Sequence, residues 1–307
     1  MSDYSNEIRT SFAKGDRRRD KGLTTPPDVE RLDNISYGSH PTWNLLDVYR
    51  PKAEKGSMLP VIVIVHGGAW VYGDKDVYQF YGMSLAQRGF AVVNFSYRLA
   101  PEYKFPAPIE DTCAVFSWIY KNRDAYGLDA DNLFAVGDSA GAHILGLFAD
   151  LITNPDYKKK LKERFPKAVL TLPRGMHLNA IALNCGKYVF NEDEDKVLNA
   201  PILLKDFLPK GGIKAEMKLI SPVDFITDKY PPAFVMTCPG DFLCSQARYV
   251  VEALTENKAG FCYRLYGSAK KPLHHVFHCN VRLPEAAKCN DDECAFFREN
   301  MRGRERA

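Results

Sequence analysis

Short apolar runs recur along the chain between residues 45 and 265, and longer segments with a helical spacing of apolar residues separate them. The runs are rich in β-branched residues and contain few polar positions, which is typical of strands buried on both faces of a parallel sheet. The pattern therefore predicts strands at 45–49, 61–65, 91–95, 132–136, 180–183, 233–237 and 261–265.

The segments between these strands favour helices. Apolar side chains recur every three or four positions in two of them, at Ile109, Cys113, Phe116 and Tyr120 and at Leu243, Ala247, Val250, Val251 and Leu254. A closing helix is predicted at 285–301. Alternating strands and helices predict an α/β fold with a doubly wound, mostly parallel sheet.

Composition excludes several classes of protein. The 307 residues are 46% hydrophobic and 26% charged, enough for one large domain with a sizeable core. A net charge of +3 is too small to indicate binding to nucleic acid or to a membrane, and we interpret the basic runs at 17–19 and 158–160 as solvated surface. The eight cysteines form no Cys-x-x-Cys pair and the N-terminus has no apolar signal segment, so we expect reduced thiols and a cytoplasmic protein.

The segment Gly-Asp-Ser-Ala-Gly at 137–141 follows one predicted strand and precedes helix-forming sequence. A serine between two glycines at such a junction is typical of a nucleophile elbow, a turn too tight for larger flanking side chains. The start of the following helix favours the negative charge that develops when a serine attacks a carbonyl group. Ser139 is therefore the candidate nucleophile.

A second motif, His-Gly-Gly-Ala-Trp at 66–70, directly follows the strand at 61–65. Consecutive glycines at a strand end expose backbone N–H groups that no side chain covers, as an oxyanion hole requires. We expect Gly67 and Gly68 to supply two donors and Ala140, next to Ser139, to supply a third.

These motifs resemble those of the hormone-sensitive-lipase-like branch of the α/β-hydrolase carboxylesterases, which includes bacterial feruloyl and acetyl esterases. The resemblance extends from about residue 45 to about residue 280 and implies the α/β-hydrolase fold. The matching segments are His-Gly-Gly-Ala-Trp at 66–70, Tyr-Arg-Leu-Ala-Pro-Glu at 97–102, Phe-Pro-Ala at 105–107 and Gly-Asp-Ser-Ala-Gly at 137–141.

The resemblance implies a Ser–Asp–His triad in that chain order. Asp241 follows the strand at 233–237 and is the implied acid. The implied base is His275, with His274 as the main alternative, because the family's histidine precedes a glycine and an aromatic residue. This chain has Val276 in place of that glycine.

Other candidate residues have competing interpretations. Trp70 and Tyr72 beside the glycines are expected to line the substrate pocket, although packing in the core is an alternative. The resemblance gives His66 a supporting role in the oxyanion loop, while His143 is expected to pack or cap. The histidines at 274, 275 and 278 with Cys279 are not interpreted as a metal site, because a metal needs three or four converging ligands and the triad already uses one.

Two segments do not follow the strand–helix alternation. Residues 1–40 are polar, and residues 187–220 contain an acidic run at 192–195 followed by the apolar segment 198–208. In an α/β hydrolase these two segments would combine into a small cap over a main domain at 41–307. The alternative is a disordered N-terminus and a plain surface excursion.

The expected function is hydrolysis of a small-molecule ester with a short acyl group, without a cofactor, and the family suggests acetyl or feruloyl esters of carbohydrates. An arylformamidase-like amidase is the first alternative, because it shares the glycine-rich motif and the triad. A non-catalytic ligand-binding homologue is the second, although such proteins typically lose a triad member. The oligomeric state cannot be read from the sequence.

Overall fold

The computed structural model describes residues 1–54, 56–190 and 200–303. One eight-stranded sheet runs through these residues in the spatial order β1-β2-β4-β3-β5-β6-β7-β8. The strands are β1 (Val29–Ser36), β2 (Leu45–Pro51), β3 (Leu59–Val65), β4 (Ala91–Phe95), β5 (Leu128–Asp138), β6 (Ala180–Asn184), β7 (Ala233–Thr237) and β8 (Phe261–Leu265). The described α-helices are α1 (Asp3–Asp20), α2 (Gln79–Ala86), α3 (Ala107–Tyr126), α4 (Ala140–Thr153), α5 (Pro155–Arg164), α6 (Ala200–Phe207), α7 (Lys214–Leu219), α8 (Gln246–Glu256) and α9 (Pro284–Glu299).

Strands β3 to β8 are parallel to one another, whereas β1 pairs antiparallel with β2 and β2 antiparallel with β4. The chain passes from β3 to β4 on one side and then returns to β5 on the other, so the order of the strands reverses at β3. In parallel α/β sheets such a reversal opens a crevice at the carboxyl ends of the strands. The motifs at 66–70 and 137–141 both begin at this point.

Helices cover both faces of the sheet, as predicted. Alternation along β3 sends Val61, Val63 and Val65 to one face, where they join a core with α3, α4 and α8. Ile62 and Ile64 face the opposite side and join a second core with α2 and α9. The doubly wound architecture of the sequence prediction is therefore confirmed.

The seven predicted strands are all present, and the bounds of β4, β7 and β8 match the prediction. Strand β1 was not predicted, because it carries charged residues and only its first position is buried. Since β1 belongs to the main sheet, the predicted division of the chain at residue 40 is wrong for residues 29–36.

Helix α1, the N-terminal part of that segment, contacts helix α6 from the 187–220 segment. The backbone N–H and hydroxyl of Ser2 and the hydroxyl of Ser5 all donate to Oδ2 of Asp206, at 2.9, 2.8 and 2.7 Å. Arg9 pairs with Glu102 at 2.7 Å, which fastens α1 to the loop after β4. We propose that α1 and α6 are parts of the cap.

The acidic run at 192–195 lies outside the described residues. Across the three described ranges, no helix combines the length and the apolar character needed to cross a bilayer.

Candidate active site

Ser139 occupies a strained turn between β5 and α4. Its φ and ψ are 53° and −119°, values that a non-glycine residue rarely adopts outside functional sites. A Cβ atom on Gly137 would lie 2.5 Å from the carbonyl oxygen of Gly141, and one on Gly141 would lie 2.0 Å from that of Val65. Both flanking glycines are therefore required by close packing. The N–H of Ser139 donates to the carbonyl of Asn184 at 2.9 Å, which fixes the turn to β6.

Asp241 and His275 meet beside this turn. Nδ1 of His275 lies 2.6 Å from Oδ1 of Asp241. The N–H of Leu243 donates to the same oxygen at 2.9 Å, and the hydroxyl of Thr237 donates to Oδ2 at 2.8 Å. Burial alone would raise the pKa of Asp241, but the His275 ring and these two donors outweigh burial and lower it. The carboxylate is thus held in its charged form.

Two cavities flank Ser139. The first has a volume of about 440 Å³ and the second about 310 Å³. The residues that line both are Ser11, Phe12, Ser139, Phe242 and His275. Ser139 and His275 therefore lie at the border between two spaces, an arrangement that suits a substrate with two arms joined at a reacting carbon.

His274 lies elsewhere. It is exposed, it lines neither cavity, and its backbone forms a bridge with Gly240. The structure thus brings His275, and not His274, to Asp241. The next residue, Val276, has a φ of 52° in the left-handed region, which explains why a glycine is usual there in the family the sequence resembles.

The prediction for Gly67 is corrected by the structure. Its N–H donates to the hydroxyl of Tyr78 at 2.9 Å, and that hydroxyl donates to Oδ2 of Asp138 at 2.7 Å. Because the N–H of Gly67 already donates to Tyr78, it is not available to bind a substrate oxygen. Burial raises the pKa of Asp138 to about 6, since little water reaches it.

The next two N–H groups, those of Gly68 and Ala69, are not occupied in this way by any described residue. Gly68 and Ala69 have φ values of 123° and 52°, and a Cβ on Gly68 would lie 2.0 Å from the carbonyl oxygen of Tyr72. Within the described ranges, neither N–H donates to a protein group. Gly68 lines the second cavity, while Ala69 lines the first together with Ala140, whose N–H opens helix α4. Ala69 was not among the predicted donors, because the sequence signal of such a loop is its glycines and Ala69 is not one.

Trp70 both packs and lines the first cavity. Its side chain is 5% exposed, stacks on Phe207 and donates from Nε1 to Nδ1 of His143 at 3.0 Å. This bond leaves Nε2 of His143 to donate to the carbonyl of Ile220 at 2.7 Å. Burial lowers the pKa of His143 to about 3, so the ring is neutral and structural.

Tyr72 lines the second cavity and joins the glycine loop to α1. Its hydroxyl donates to Oδ2 of Asp16 at 2.8 Å, and its ring meets that of Phe12 edge to face. Asp16 also pairs with Arg19 at 2.9 Å. Arg19 is only 16% exposed, so the prediction of a fully solvated basic run is wrong at this residue.

His66 contacts the glycine loop and holds it in place. Its Nδ1 lies 2.8 Å from the carbonyl oxygen of Gly67, and its ring stacks on Tyr97 at 4.0 Å. Burial lowers its pKa to about 4. A neutral, immobilised ring fits a supporting role and leaves proton transfer to another histidine.

Among the described residues, two groups of three side chains bring atoms able to bind a metal within 4.8 Å of one another. They are Asp138, His278 and Cys279, and Cys185, Asp241 and His275. In the first group, Asp138 accepts the hydroxyl of Tyr78, and in the second, Asp241 and His275 bond to each other. We assign no metal to either group, because these bonds already occupy one candidate ligand of the first group and two of the second, which leaves fewer than three ligands free in each.

The sheet order and the turn at Ser139 define an α/β hydrolase. Residues 46–250, more than half of the chain, match the model of the BD-FAE family. The chain therefore belongs to the BD-FAE family.

Individual relatives agree with this assignment. Esterase LipC of Mycobacterium tuberculosis is 29% identical over 230 residues, which cover 72% of this chain and 54% of LipC, so the chain spans about half the length of that relative. Carboxylesterase NlhH of the same species is 29% identical over 292 residues, 89% of this chain and 84% of NlhH. A crystal structure of esterase B from Lactobacillus rhamnosis with a tributyrin phosphonate has the same fold, with a TM-score of 0.83, 23% identity, and coverage of 98% of this chain and 97% of that one.

Proposed function

We propose that the protein is a serine carboxylesterase that hydrolyses short-chain acyl esters. The observation that carries the proposal is that Ser139 and His275 line the same two cavities while Nδ1 of His275 lies 2.6 Å from Asp241. Membership of the family, and relatives that are named esterases, support it.

In the proposed reaction, Ser139 is the nucleophile. Nε2 of His275 takes the proton of the Ser139 hydroxyl as the oxygen attacks the ester carbonyl carbon. Collapse of the tetrahedral intermediate breaks the bond to the alcohol, and His275 returns the proton to the departing oxygen. A water molecule then attacks the acyl-enzyme in the same way and releases the acid. Asp241 orients His275 and stabilises its protonated form.

We further propose that the N–H groups of Gly68, Ala69 and Ala140 bind the oxyanion. The supporting observations are that Gly68 and Ala69 donate to no described protein group and that Ala140 is the first residue of α4. The dipole of α4 adds a favourable field at this point. Gly67 contributes indirectly, because its bond to Tyr78 holds the loop.

Acetyl, propionyl and butyryl esters are the proposed substrates. A first cavity of about 440 Å³ suits a short acyl chain, and the tributyrin phosphonate bound by esterase B is consistent with that size. Acetyl or feruloyl esters of carbohydrates are the natural substrates that we propose by analogy with the family.

The test compares wild-type protein with Ser139→Ala on p-nitrophenyl acetate, butyrate and octanoate. We expect Ser139→Ala to lower kcat by at least about a thousandfold and to abolish labelling by a fluorophosphonate. Ser117→Ala is the matched control, since Ser117 lies on α3, bonds to Thr171 and lines neither cavity. Full activity in Ser139→Ala would refute the proposal, and faster hydrolysis of a formyl-anilide than of any ester would favour an amidase.

A further inference from the structure

Helix α1 contains a glycine that neither its backbone nor its packing requires. Gly15 lies in the interior of α1, where glycine is the least favourable residue after proline. Its φ is outside the left-handed region, and a Cβ atom there would meet nothing within 4 Å. In contrast, Cβ atoms on Gly137 and Gly141 would clash with backbone.

The absence of a side chain at Gly15 affects the space beside Ser139. Gly15 lines the second cavity, which also contains Ser139 and His275. Because Gly15 lines this cavity and a Cβ atom there meets only open space, we infer that a larger side chain at residue 15 would take up part of the cavity. The glycine therefore enlarges the space beside the proposed nucleophile.

Asp16, the next residue, supplies a hydrogen-bond acceptor to the same cavity. Its two oxygens accept from Arg19 at 2.9 Å and from Tyr72 at 2.8 Å. A carboxylate has about four acceptor positions, so two protein donors leave room for a donor from a ligand. Arg19 itself is held by Asp20 and by the carbonyl of Val77 at 2.7 Å, which fixes the position of Asp16.

The two cavities differ in what they offer. The first is lined partly by apolar side chains, which suit an alkyl chain, and partly by charged ones, namely Ile8, Trp70 and Leu203, and Glu7 and Lys187. The second presents the carboxylate of Asp16 and the open space at Gly15, which suit a group that carries a hydroxyl. Its volume of about 310 Å³ can hold a glycerol unit or one sugar ring but not a long chain.

We propose that the second cavity binds the alcohol part of the ester, that Gly15 sets the size of this part, and that Asp16 accepts a hydrogen bond from one of its free hydroxyl groups. This inference rests on the proposed esterase function. Its prediction is a preference for esters of hydroxylated alcohols over simple alkyl esters with the same acyl group.

The experiment measures kcat/KM for three butyrate esters, ethyl butyrate, glycerol monobutyrate and methyl 6-O-butyryl glucoside. The proteins are the wild type, Gly15→Ala, Gly15→Leu, Asp16→Asn and the control Lys14→Leu. Lys14 is exposed on the same helix and lines neither cavity, so Lys14→Leu places the same leucine side chain on α1 but outside the site.

We expect Gly15→Leu to lower the ratio of kcat/KM for the glucoside ester to that for ethyl butyrate by about tenfold or more. Asp16→Asn should raise KM for both hydroxylated esters by about tenfold relative to ethyl butyrate. Lys14→Leu should leave both ratios at the wild-type value. If Gly15→Leu fails to fold, Gly15→Ala, which favours the helix, should still lower the first ratio by about twofold to threefold.

An unchanged ratio in the Gly15 variants overturns the inference. A shift in acyl-chain preference, measured on ethyl acetate to ethyl hexanoate, also overturns it, because the second cavity would then bind the acyl group. These outcomes are distinct from failure of the proposed function, in which the wild type would hydrolyse none of the esters or would do so equally well as Ser139→Ala.

Discussion

Nδ1 of His275 lies 2.6 Å from Oδ1 of Asp241, and the two residues are 34 positions apart in the chain. The carboxylate is held by two further donors, the N–H of Leu243 and the hydroxyl of Thr237. This bond fixes the proton of a neutral His275 on Nδ1 and leaves Nε2 as the nitrogen that can accept a proton. The direction of the proposed proton transfer follows from it.

We expect Asp241→Asn to lower kcat for p-nitrophenyl butyrate by about 10³-fold to 10⁴-fold with little change in KM, because an amide cannot stabilise the charged ring and favours the wrong tautomer. Steady-state kinetics on the folded variant measure this effect. Thr237→Val is the comparison, since it removes one donor from Asp241 but keeps the carboxylate, and its loss should be less than about tenfold. Equal losses in the two variants would contradict the assigned role of Asp241.

Tyr78 links the glycine loop to the strand that carries Ser139, because its hydroxyl accepts from Gly67 and donates to Asp138. Tyr78→Phe removes both bonds and leaves the N–H of Gly67 buried without its partner. We expect kcat to fall by about tenfold with KM nearly unchanged, as misplaced oxyanion donors weaken binding of the transition state.

The matched control for this prediction is Tyr81→Phe. Tyr81 is also buried and lies about one turn further on, but its hydroxyl donates to Glu293 at 2.9 Å. Both variants should lose stability to chemical denaturation, and only Tyr78→Phe should lose kcat. A similar loss of kcat in Tyr81→Phe would assign the effect to general destabilisation.

The fold and the candidate nucleophile could be predicted because their signals are local, whereas the roles of Asp241 and His275 followed from the resemblance to known esterases. Ser139 has glycines two positions away on each side, and Asp241 comes soon after a strand whose apolar run is unmistakable. Strand β1 could not be predicted in this way. Half of its positions are exposed and three of its eight residues are charged, and it joins the sheet through backbone hydrogen bonds to β2, which no side-chain pattern indicates.

The error at Gly67 has a similar cause. Whether a backbone N–H is free depends on a side chain that packs against it, and Tyr78 reaches Gly67 from the start of another helix. The placement of α1 was predicted only in outline, because this polar helix is held by contacts such as Arg9 with Glu102 and Ser5 with Asp206. Such long-range polar pairs leave no periodic trace in the sequence.

His143 should make stability depend on pH. Burial lowers its pKa from 6.5 to about 3, so between these values the unfolded chain binds a proton that the folded protein does not. Stability is therefore lost as the pH falls below 6.5. At pH 5 this residue lowers the free energy of unfolding by about 2 kcal/mol, because each pH unit below 6.5 corresponds to about 1.4 kcal/mol.

Urea unfolding of the wild type and of His143→Gln at pH 7.5 and pH 5 isolates this contribution. Other buried groups act in both directions, since burial also raises the pKa of Glu293 to about 7, but they are common to both proteins. The wild type should lose about 2 kcal/mol more than His143→Gln between the two pH values. Equal losses of unfolding free energy in the two proteins would show that His143 has the same pKa in the folded and the unfolded protein.

Asp150 should make stability depend on pH in the opposite direction, with stability lost as the pH rises. It is fully buried on α4, and neither carboxyl oxygen has a hydrogen-bond partner within the described part of the chain. Burial raises its pKa well above 3.8, so the folded protein retains the proton to a higher pH than the unfolded chain. Its contribution to stability is greatest below pH 3.8 and is lost as the pH rises through the folded pKa.

Asp150→Asn cannot ionise and should therefore be more stable than the wild type at pH 8, by about 2 kcal/mol or more, with a difference that shrinks as the pH is lowered to 5. Denaturant unfolding at the two pH values measures this, with Asp228→Asn as the control because Asp228 is exposed. The control should change stability little at either pH. A variant less stable than the wild type at pH 8 would mean that the folded protein stabilises the charged carboxylate, against the expectation from its burial.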